Sequence, residues 1–166
     1  CQWARALGAT VIGTVSSDEK AALAKAHGCD HPIVYTRENF VERVKAITGG
    51  AGVPVVYDSI GKDTFQGSLD CLRPMGLMVT FGNASGPVPP VDTLELSRRG
   101  SLFLTRPTLF TYIAKRQDLL DISADLFDVV VAGKVKVEVN QTYPLKEAAR
   151  AQEDLAARRT TGSTVL

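Results

Sequence analysis

The sequence has few of the residues and patterns that define several classes of protein. It has only three cysteines, Cys1, Cys29 and Cys71, and their odd number and wide spacing favour free thiols over a disulfide framework. The net charge is +1 and no basic stripe is present, which argues against nucleic acid or a membrane as a partner. No apolar run approaches the roughly 20 residues that span a bilayer, and the opening CQWARALGA does not resemble a signal peptide. These absences predict a cytoplasmic protein.

The residues that are present can fill the core of one domain, since 45% of them are hydrophobic. After a short helix that stops at Gly8, strands are predicted at residues 10–16, 31–36, 53–59 and 76–83, and those at 10–16 and 53–59 are expected to be buried. Helices are predicted at 18–26, within 38–50, and after the turn at 61–63. Strands that alternate with helices indicate right-handed βαβ units, so we predict an α/β fold with a doubly wound parallel sheet, a Rossmann fold.

The second half of the chain has a looser pattern. It predicts a short helix at 93–99, a strand at 101–105, a helix at 117–132 with an inward apolar face and an outward acidic stripe, a half-buried edge strand at 134–143, a helix at 144–158 and the terminal strand STVL. We interpret the acidic stripe as a solvated helix face.

The stretch Thr10–Lys20, TVIGTVSSDEK, is the most informative part of the chain. Its β-branched run ends at Ser16 and Ser17 and gives way at once to a charged helix start. In a doubly wound sheet, this end of the strand faces the ligand crevice. Hydroxyls and a cation there favour a dinucleotide with a 2′-phosphate, whereas a free 2′-hydroxyl favours a carboxylate. The alternative is an ordinary strand-to-helix turn, in which Asp18 and Glu19 serve the N-cap and first turn.

Two other clusters have a chemical and a structural interpretation. His27, Cys29 and His31 form an H-x-C-x-H pattern of soft metal ligands, but no fourth ligand is nearby and a helix-to-strand turn is favoured. Tyr57 and Asp58 suggest an acid–base pair, but they end a predicted strand. We favour a role for both in shaping the crevice.

Residues 55–86, VVYDSIGKDTFQGSLDCLRPMGLMVTFGNASG, and 101–113, SLFLTRPTLFTYI, carry a family resemblance. Together with the later YPL, their motifs YDS, FGN-SG and TRP resemble zinc-free, zeta-crystallin-like NADPH:quinone oxidoreductases of the medium-chain dehydrogenase/reductase superfamily. The resemblance runs from the first helix to the final GSTVL. It implies NADPH as the cofactor, no metal, and hydride transfer to a quinone or related conjugated carbonyl acceptor. Because the hard chemistry is the cofactor's, we assign no catalytic acid, base or nucleophile.

The resemblance also implies parts that this chain does not contain. Family members have an N-terminal GroES-like domain, then a first Rossmann strand and a glycine-rich turn for the pyrophosphate, and no G-x-G-x-x-G occurs here. We therefore expect residues 1–166 to be a partial dinucleotide-binding domain plus a C-terminal segment. Such a fragment is expected to bind the cofactor poorly by itself, to be inactive alone, and to have reduced stability without its central strand.

The resemblance assigns the adenosine end of the cofactor to separate parts of the chain. Ser16 and Lys20 match the family's 2′-phosphate contacts, and Tyr35 matches the tyrosine beside the adenosine. The ammonium of Lys20, one helical turn past the strand, can reach a phosphate there. Arg158 matches an arginine near the carboxyl end that approaches the cofactor. A surface lysine and a helix-ending arginine are the structural alternatives.

The nicotinamide side is assigned to two segments. Phe81, Gly82, Asn83 and Ala84 match the segment that passes under the ribose and nicotinamide, where glycine allows a close backbone approach. Arg106, Pro107 and Thr108 match the edge-strand segment near the nicotinamide carboxamide. A plain strand-terminal turn is the alternative for the first segment.

Two other functions and one partner are also considered. An enoyl-thioester reductase of the same fold would share most of these residues, because the absent domain largely selects the substrate. A non-catalytic nucleotide-binding or crystallin-like module would keep the pocket without turnover. Residues 101–105 are predicted to lie at the sheet edge and to pair antiparallel with a second copy, which gives a two-fold homodimer.

Overall fold

The computed structural model describes all 166 residues, and helices alternate with strands through its first two thirds. The elements there are α1 (Gln2–Ala6), β1 (Ile12–Val15), α2 (Asp18–Ala26), β2 (His31–Val34), α3 (Phe40–Ile47), β3 (Val53–Asp58), α4 (Phe65–Asp70), β4 (Leu72–Thr80), α5 (Thr93–Arg98) and β5 (Phe103–Thr105). The remainder contains α6 (Leu109–Tyr112), α7 (Arg116–Val131), β6 (Val139–Thr142), a 3₁₀ turn (Leu145–Glu147), α8 (Ala148–Ala156) and β7 (Ser163–Val165). None of the helices is both long and apolar enough to cross a membrane.

Local sequence explains where α2 begins and ends. The Ser17 hydroxyl caps the helix by accepting a hydrogen bond from the Lys20 N–H at 3.3 Å. Asp18 and Glu19 occupy the first turn, where negative charge is favourable. Beyond the last turn, Gly28 has a φ of +89°, a conformation that glycine adopts readily. The predicted bounds of this helix are confirmed.

The strands form parallel pairs, as expected for an α/β fold. β1 pairs with β2, and β3, β4 and β5 form a second sheet in that order. A third, two-stranded parallel sheet joins β6 to β7. The predicted fold class is confirmed for the alternating part of the chain.

Two apolar clusters form the core. Phe65, Leu69 and Met78 lie at the centre of the first, between α4 and the second sheet. The second cluster contains Ile33, Val44 and Cys71, and partly buried residues of both β1 and β3 pack against it. This second cluster therefore packs the two sheets against each other, so that the ends of their strands belong to one domain.

Burial differs from prediction where the structure leaves a face uncovered. The strand predicted at 53–59 was expected to be buried, but Val55 and Tyr57 are 37% and 74% exposed, because α4 packs on the opposite face of β3. No residue of α7 is buried, so its apolar face is not turned into a core as predicted. The strand predicted at 134–143 shortens to β6, and Val137 is exposed rather than half-buried.

Candidate functional site

The carboxyl ends of β1 and β2 meet at one rim of the first sheet. Tyr35 donates its backbone N–H to the Val15 carbonyl at 3.1 Å, and the Thr36 hydroxyl donates to the Ser16 carbonyl at 3.2 Å. These bonds bring Ser16 and Tyr35 together although they are far apart in the sequence. We refer to Ser16, Lys20, Tyr35 and Arg37 as the β1–β2 rim.

Two polar side chains on the β1–β2 rim have no partner within the chain. Lys20 is half-buried, and its ammonium makes no hydrogen bond or ion pair. The Ser16 hydroxyl is likewise unbonded, whereas Ser17 is occupied as the helix cap. Because both groups can donate hydrogen bonds, the rim presents donors to an incoming anion.

Asp18, which lies between Ser16 and Lys20 in the sequence, is paired with an arginine. Both terminal nitrogens of Arg37 donate to the Asp18 carboxylate at 2.5 Å, and this hydrogen bonding lowers the pKa of Asp18. Bidentate pairing of this kind fixes the orientation of the carboxylate. Sequence reasoning missed Arg37; the only signal was a basic residue just beyond the strand predicted at 31–36.

The second rim is built on a buried carboxylate at the end of β3. Asp58 is 4% exposed and accepts hydrogen bonds from the N–H groups of Ile60 at 2.8 Å and Gly61 at 3.0 Å. The hydroxyls of Thr64 and Ser68 each donate to its other oxygen at 2.8 Å. Burial alone would raise the pKa of Asp58, but these hydrogen bonds outweigh it and the pKa is lowered. Asp58 is therefore an ionised structural group that shapes the β3–α4 turn, and its role in shaping the crevice stays a prediction.

The loop after β4 is bonded to this turn along its backbone. Phe81 donates its N–H to the Asp58 carbonyl at 2.9 Å, and Ala84 donates to the Ser59 carbonyl at 3.3 Å. A Cβ atom added to Gly82 would lie 2.1 Å from the Ser59 carbonyl oxygen. Gly82 is thus required by a close approach within the chain itself, whatever ligand lies above it.

The predicted nicotinamide segments meet at this rim. Arg106, just after β5, donates from Nη1 to the Gly82 carbonyl at 3.2 Å, and the Phe81 ring is half exposed beside it. Arg106, Pro107 and Thr108 also line a shallow cavity of about 250 Å³. We refer to Asp58, residues 81–84 and residues 106–108 as the β3–β5 rim.

A larger cavity of about 540 Å³ links the β1–β2 rim to the C-terminal segment. Val15 and Lys20 line one side, and residues 160–163 line another. Arg158 is exposed and does not line this cavity, but it lies two residues before Thr160, which does. Tyr35 lines neither cavity. The structure thus brings Lys20 to the C-terminal segment, and it assembles the β3–β5 rim separately.

The H-x-C-x-H pattern does not assemble into a metal centre. The His27 ring donates from Nδ1 to the Leu23 carbonyl at 2.8 Å and its Nε2 lies 3.0 Å from the Glu138 carboxylate. Cys29 is buried and directs its Sγ to the Val11 carbonyl, and His31 is exposed. No three histidine, cysteine or acidic side chains of the chain group closely enough to hold a metal ion.

An α/β domain whose parallel strands end at rims of donors and glycine-bearing loops has the architecture of a dinucleotide-binding domain. The chain matches the zinc-binding dehydrogenase family over residues 1–125 and belongs to that family.

Individual relatives are more specific. The chain is 55% identical to a quinone oxidoreductase of Pseudomonas aeruginosa over 166 residues, and 54% identical to a 2-haloacrylate reductase of a Burkholderia species over 165 residues. These matches include 100% and 99% of this chain, but only 51% and 50% of the length of the two relatives. The chain therefore spans about half the length of the curated relatives it matches.

Solved structures agree with these relatives. The Escherichia coli quinone oxidoreductase, whose crystal structure is complexed with NADPH, superposes with a TM-score of 0.94 at 50% identity and is covered over 52% of its length by the whole of this chain. A Pseudomonas syringae quinone oxidoreductase gives a TM-score of 0.95 at 51% identity, over 51% of its length. The resemblance to the quinone oxidoreductases is confirmed.

Proposed function

We propose that this chain is the NADPH-binding half of an oxidoreductase that transfers hydride from NADPH to a quinone or a related conjugated carbonyl acceptor. The observation that carries the proposal is the pair of unbonded donors, Ser16 and Lys20, beside an Asp18 that is already paired with Arg37. A rim with free donors and a neutralised acid suits a 2′-phosphate and not a free 2′-hydroxyl. That NADPH is the ligand of the Escherichia coli relative supports the same conclusion.

The proposed residue roles follow the two rims. Ser16, Lys20 and Tyr35 bind the phosphorylated adenosine end, with Arg158 approaching from the C-terminal segment. Residues 81–84 support the ribose and nicotinamide, and residues 106–108 orient the carboxamide through main-chain groups. NADPH supplies the hydride when bound, so the work of this chain is to bind and orient it. No catalytic residue is proposed among residues 1–166.

We also propose that the chain is completed by a preceding part of a longer polypeptide. β1 pairs only with β2, and β3 pairs only with β4, so each has one edge without a partner. A first Rossmann strand between them would join the two sheets, and a glycine-rich turn after it would supply the pyrophosphate site. The exposed face of β3 and relatives of twice this length support the proposal. The experiments below therefore use the full-length protein.

The acceptor class has a second candidate among the relatives. One of them is a 2-haloacrylate reductase, so a double bond conjugated to a carboxylate is an alternative to a quinone. Steady-state rates of NADPH oxidation with 1,4-benzoquinone, 2-chloroacrylate and an enoyl thioester rank the acceptors. Turnover with benzoquinone is expected to be fastest; tight NADPH binding with no turnover on any acceptor would support a non-catalytic module instead.

Replacing Lys20 by alanine tests the cofactor assignment. The Kd for NADPH is expected to rise about 10- to 100-fold and the Kd for NADH to stay unchanged, because a charge-assisted bond to the 2′-phosphate is lost. Fluorescence titration of the full-length protein with each cofactor measures both constants. Lys25→Ala removes an exposed charge one turn further along α2 and serves as the control. Equal loss for both cofactors, or none, contradicts the assignment.

We propose a homodimer formed through β5. This strand is the outermost of its sheet and pairs only with β4, and the Phe103 side chain on it is 61% exposed. An uncovered apolar edge can add a second copy of itself as an antiparallel strand.

Replacing Phe103 by proline is expected to leave a monomer in sedimentation velocity, because proline cannot join a strand ladder. Phe103→Lys tests the same edge with less risk to folding, and Phe110→Lys, at an exposed position on α6, is the control. A dimer that survives both changes at Phe103, with native circular dichroism, places the interface elsewhere.

A cytoplasmic location is also proposed. All three cysteines are free, and Cys29 and Cys71 are buried. Burial raises the pKa of Cys71 to about 11, which keeps it as an unreactive thiol. Unpaired thiols of this kind are typical of a reducing compartment.

A further inference from the structure

Helix α8 ends in a turn whose glycine position is occupied by an arginine. The Arg158 N–H donates to the Leu155 carbonyl at 3.0 Å, and the Arg159 N–H donates to the Asp154 carbonyl at 2.9 Å. This pair of bonds defines a Schellman motif, in which the residue after the C-cap adopts a left-handed conformation. Arg158 holds that position with a φ of +60°. Glycine adopts this conformation freely, but a residue with a side chain is strained in it.

An ion pair holds the turn closed in spite of this strain. Schellman motifs are commonly braced by an apolar contact across the turn, between the third-last helical residue and the second residue beyond the cap. Here those positions are Asp154 and Arg159, and Arg159 binds the Asp154 carboxylate through Nε at 2.8 Å and Nη2 at 2.6 Å. The Tyr143 hydroxyl donates to the other carboxylate oxygen at 2.7 Å, and the Asp154 side chain is only 16% exposed.

The two neighbouring arginines therefore have different roles. Arg159 is paired with Asp154, whereas Arg158 is exposed and makes no side-chain hydrogen bond or ion pair. Two residues later the chain enters the wall of the cavity that Lys20 lines from the other side. A strained position that carries an unpaired cation two residues before the wall of a cavity points to a role in function, since glycine would serve the turn better.

We propose that Asp154 is a positioning residue, which holds Arg159 across the turn so that Arg158 points freely toward the 2′-phosphate of NADPH bound beside Lys20. This inference rests on the proposed function. It goes beyond that function in one respect: Asp154, which touches no ligand, controls cofactor preference through the shape of the turn.

The first test replaces Arg158 by glycine in the full-length protein. Relief of strain is expected to raise the midpoint of thermal unfolding, while the Kd for NADPH rises about tenfold and the Kd for NADH stays the same. Gain of stability together with loss of affinity distinguishes a cofactor contact from a purely structural residue. Lys146→Ala, which removes an unpaired exposed charge from the 3₁₀ turn before α8, is the control and is expected to change neither.

The second test separates positioning from charge. Asp154→Ala is expected to lower both the unfolding midpoint and the affinity for NADPH. The double variant Asp154→Leu with Arg159→Leu installs the apolar contact that usually braces this motif. It is expected to restore the unfolding midpoint and the NADPH affinity, because Arg158 and its turn are intact.

The outcomes distinguish the inference from the function beneath it. If neither Lys20→Ala nor Arg158→Gly changes NADPH affinity, the proposed function fails. If only Lys20→Ala weakens it, Arg158 is not a contact and the inference is overturned alone. If Arg158→Gly weakens binding but Asp154→Ala does not, or the double variant regains stability without affinity, Asp154 does not position Arg158.

Discussion

The two rims of the candidate site are built in opposite ways. On the β1–β2 rim, Ser16 and Lys20 keep unbonded side chains, and the backbone beneath them is an ordinary strand-to-helix turn. On the β3–β5 rim, the main contacts are made within the chain itself. All hydrogen bonds of the Asp58 carboxylate go to neighbouring groups of the turn and α4, and Gly82 lies against the Ser59 carbonyl. The first rim therefore offers unbonded side chains to a ligand, whereas the second offers a fixed backbone shape. Substitutions on the first should change which cofactor binds, and those on the second whether the site forms.

The largest effect is expected for Gly82→Ala. The new Cβ atom would lie 2.1 Å from a backbone carbonyl oxygen, so both loops of the rim must move. We expect a loss of at least about 3 kcal/mol in the free energy of unfolding, measured with urea. Gly8→Ala is the matched control: Gly8 has a φ of +82° but open space around it, and the change should cost only about 1–2 kcal/mol. Equal losses for the two variants would show that the rim is not tightly packed.

A smaller effect is expected for Asp58→Asn. The amide keeps the shape of the carboxylate but replaces one accepting oxygen with a donor that faces other donors, which should cost about 2 kcal/mol of stability. Asp63→Asn, an exposed neighbour whose carboxylate has no partner, should cost almost nothing.

The same substitution also predicts a dependence on pH. Because the pKa of Asp58 is lowered in the folded state, its contribution is fully present above the unfolded value of about 4. It is lost as the pH falls through the folded pKa. The difference in unfolding free energy between the parent and Asp58→Asn should therefore be constant above about pH 5 and shrink below pH 4. A difference that grows on acidification would show that Asp58 is not held as a carboxylate.

Features set by neighbouring residues could be predicted from the sequence. The bounds of α2 follow from the Ser17 cap, the acidic first turn and Gly28, all within a dozen positions. The strand-to-helix alternation likewise predicted the parallel sheets, because periodicity is a local property.

Features set by distant partners could not be predicted in the same way. Arg37 and Asp18 are 19 positions apart, and only the pairing of β1 with β2 brings them together. The exposure of Val55 and Tyr57, and the lack of any buried residue in α7, depend on which elements cover them. An apolar pattern shows that a face of a helix or strand can be buried, but it does not identify the element that covers that face.

The smallest effect is expected for Arg37→Ala, and it tests the selectivity of the β1–β2 rim directly. Release of Asp18 leaves a free carboxylate in the first turn of α2, two residues before Lys20, and such an acid would repel a 2′-phosphate and accept a bond from a 2′-hydroxyl. Because the pair is exposed, we expect the ratio of NADPH to NADH affinity to fall only about threefold. Arg43→Ala, which breaks a partly exposed ion pair with Glu38, is the control. The double variant Arg37→Ala with Asp18→Ala separates two causes: the ratio recovers if the freed acid was responsible, and stays low if Arg37 itself contacts the phosphate. In the second case the rim would select NADPH by two cations, and neutralisation of Asp18 would be incidental.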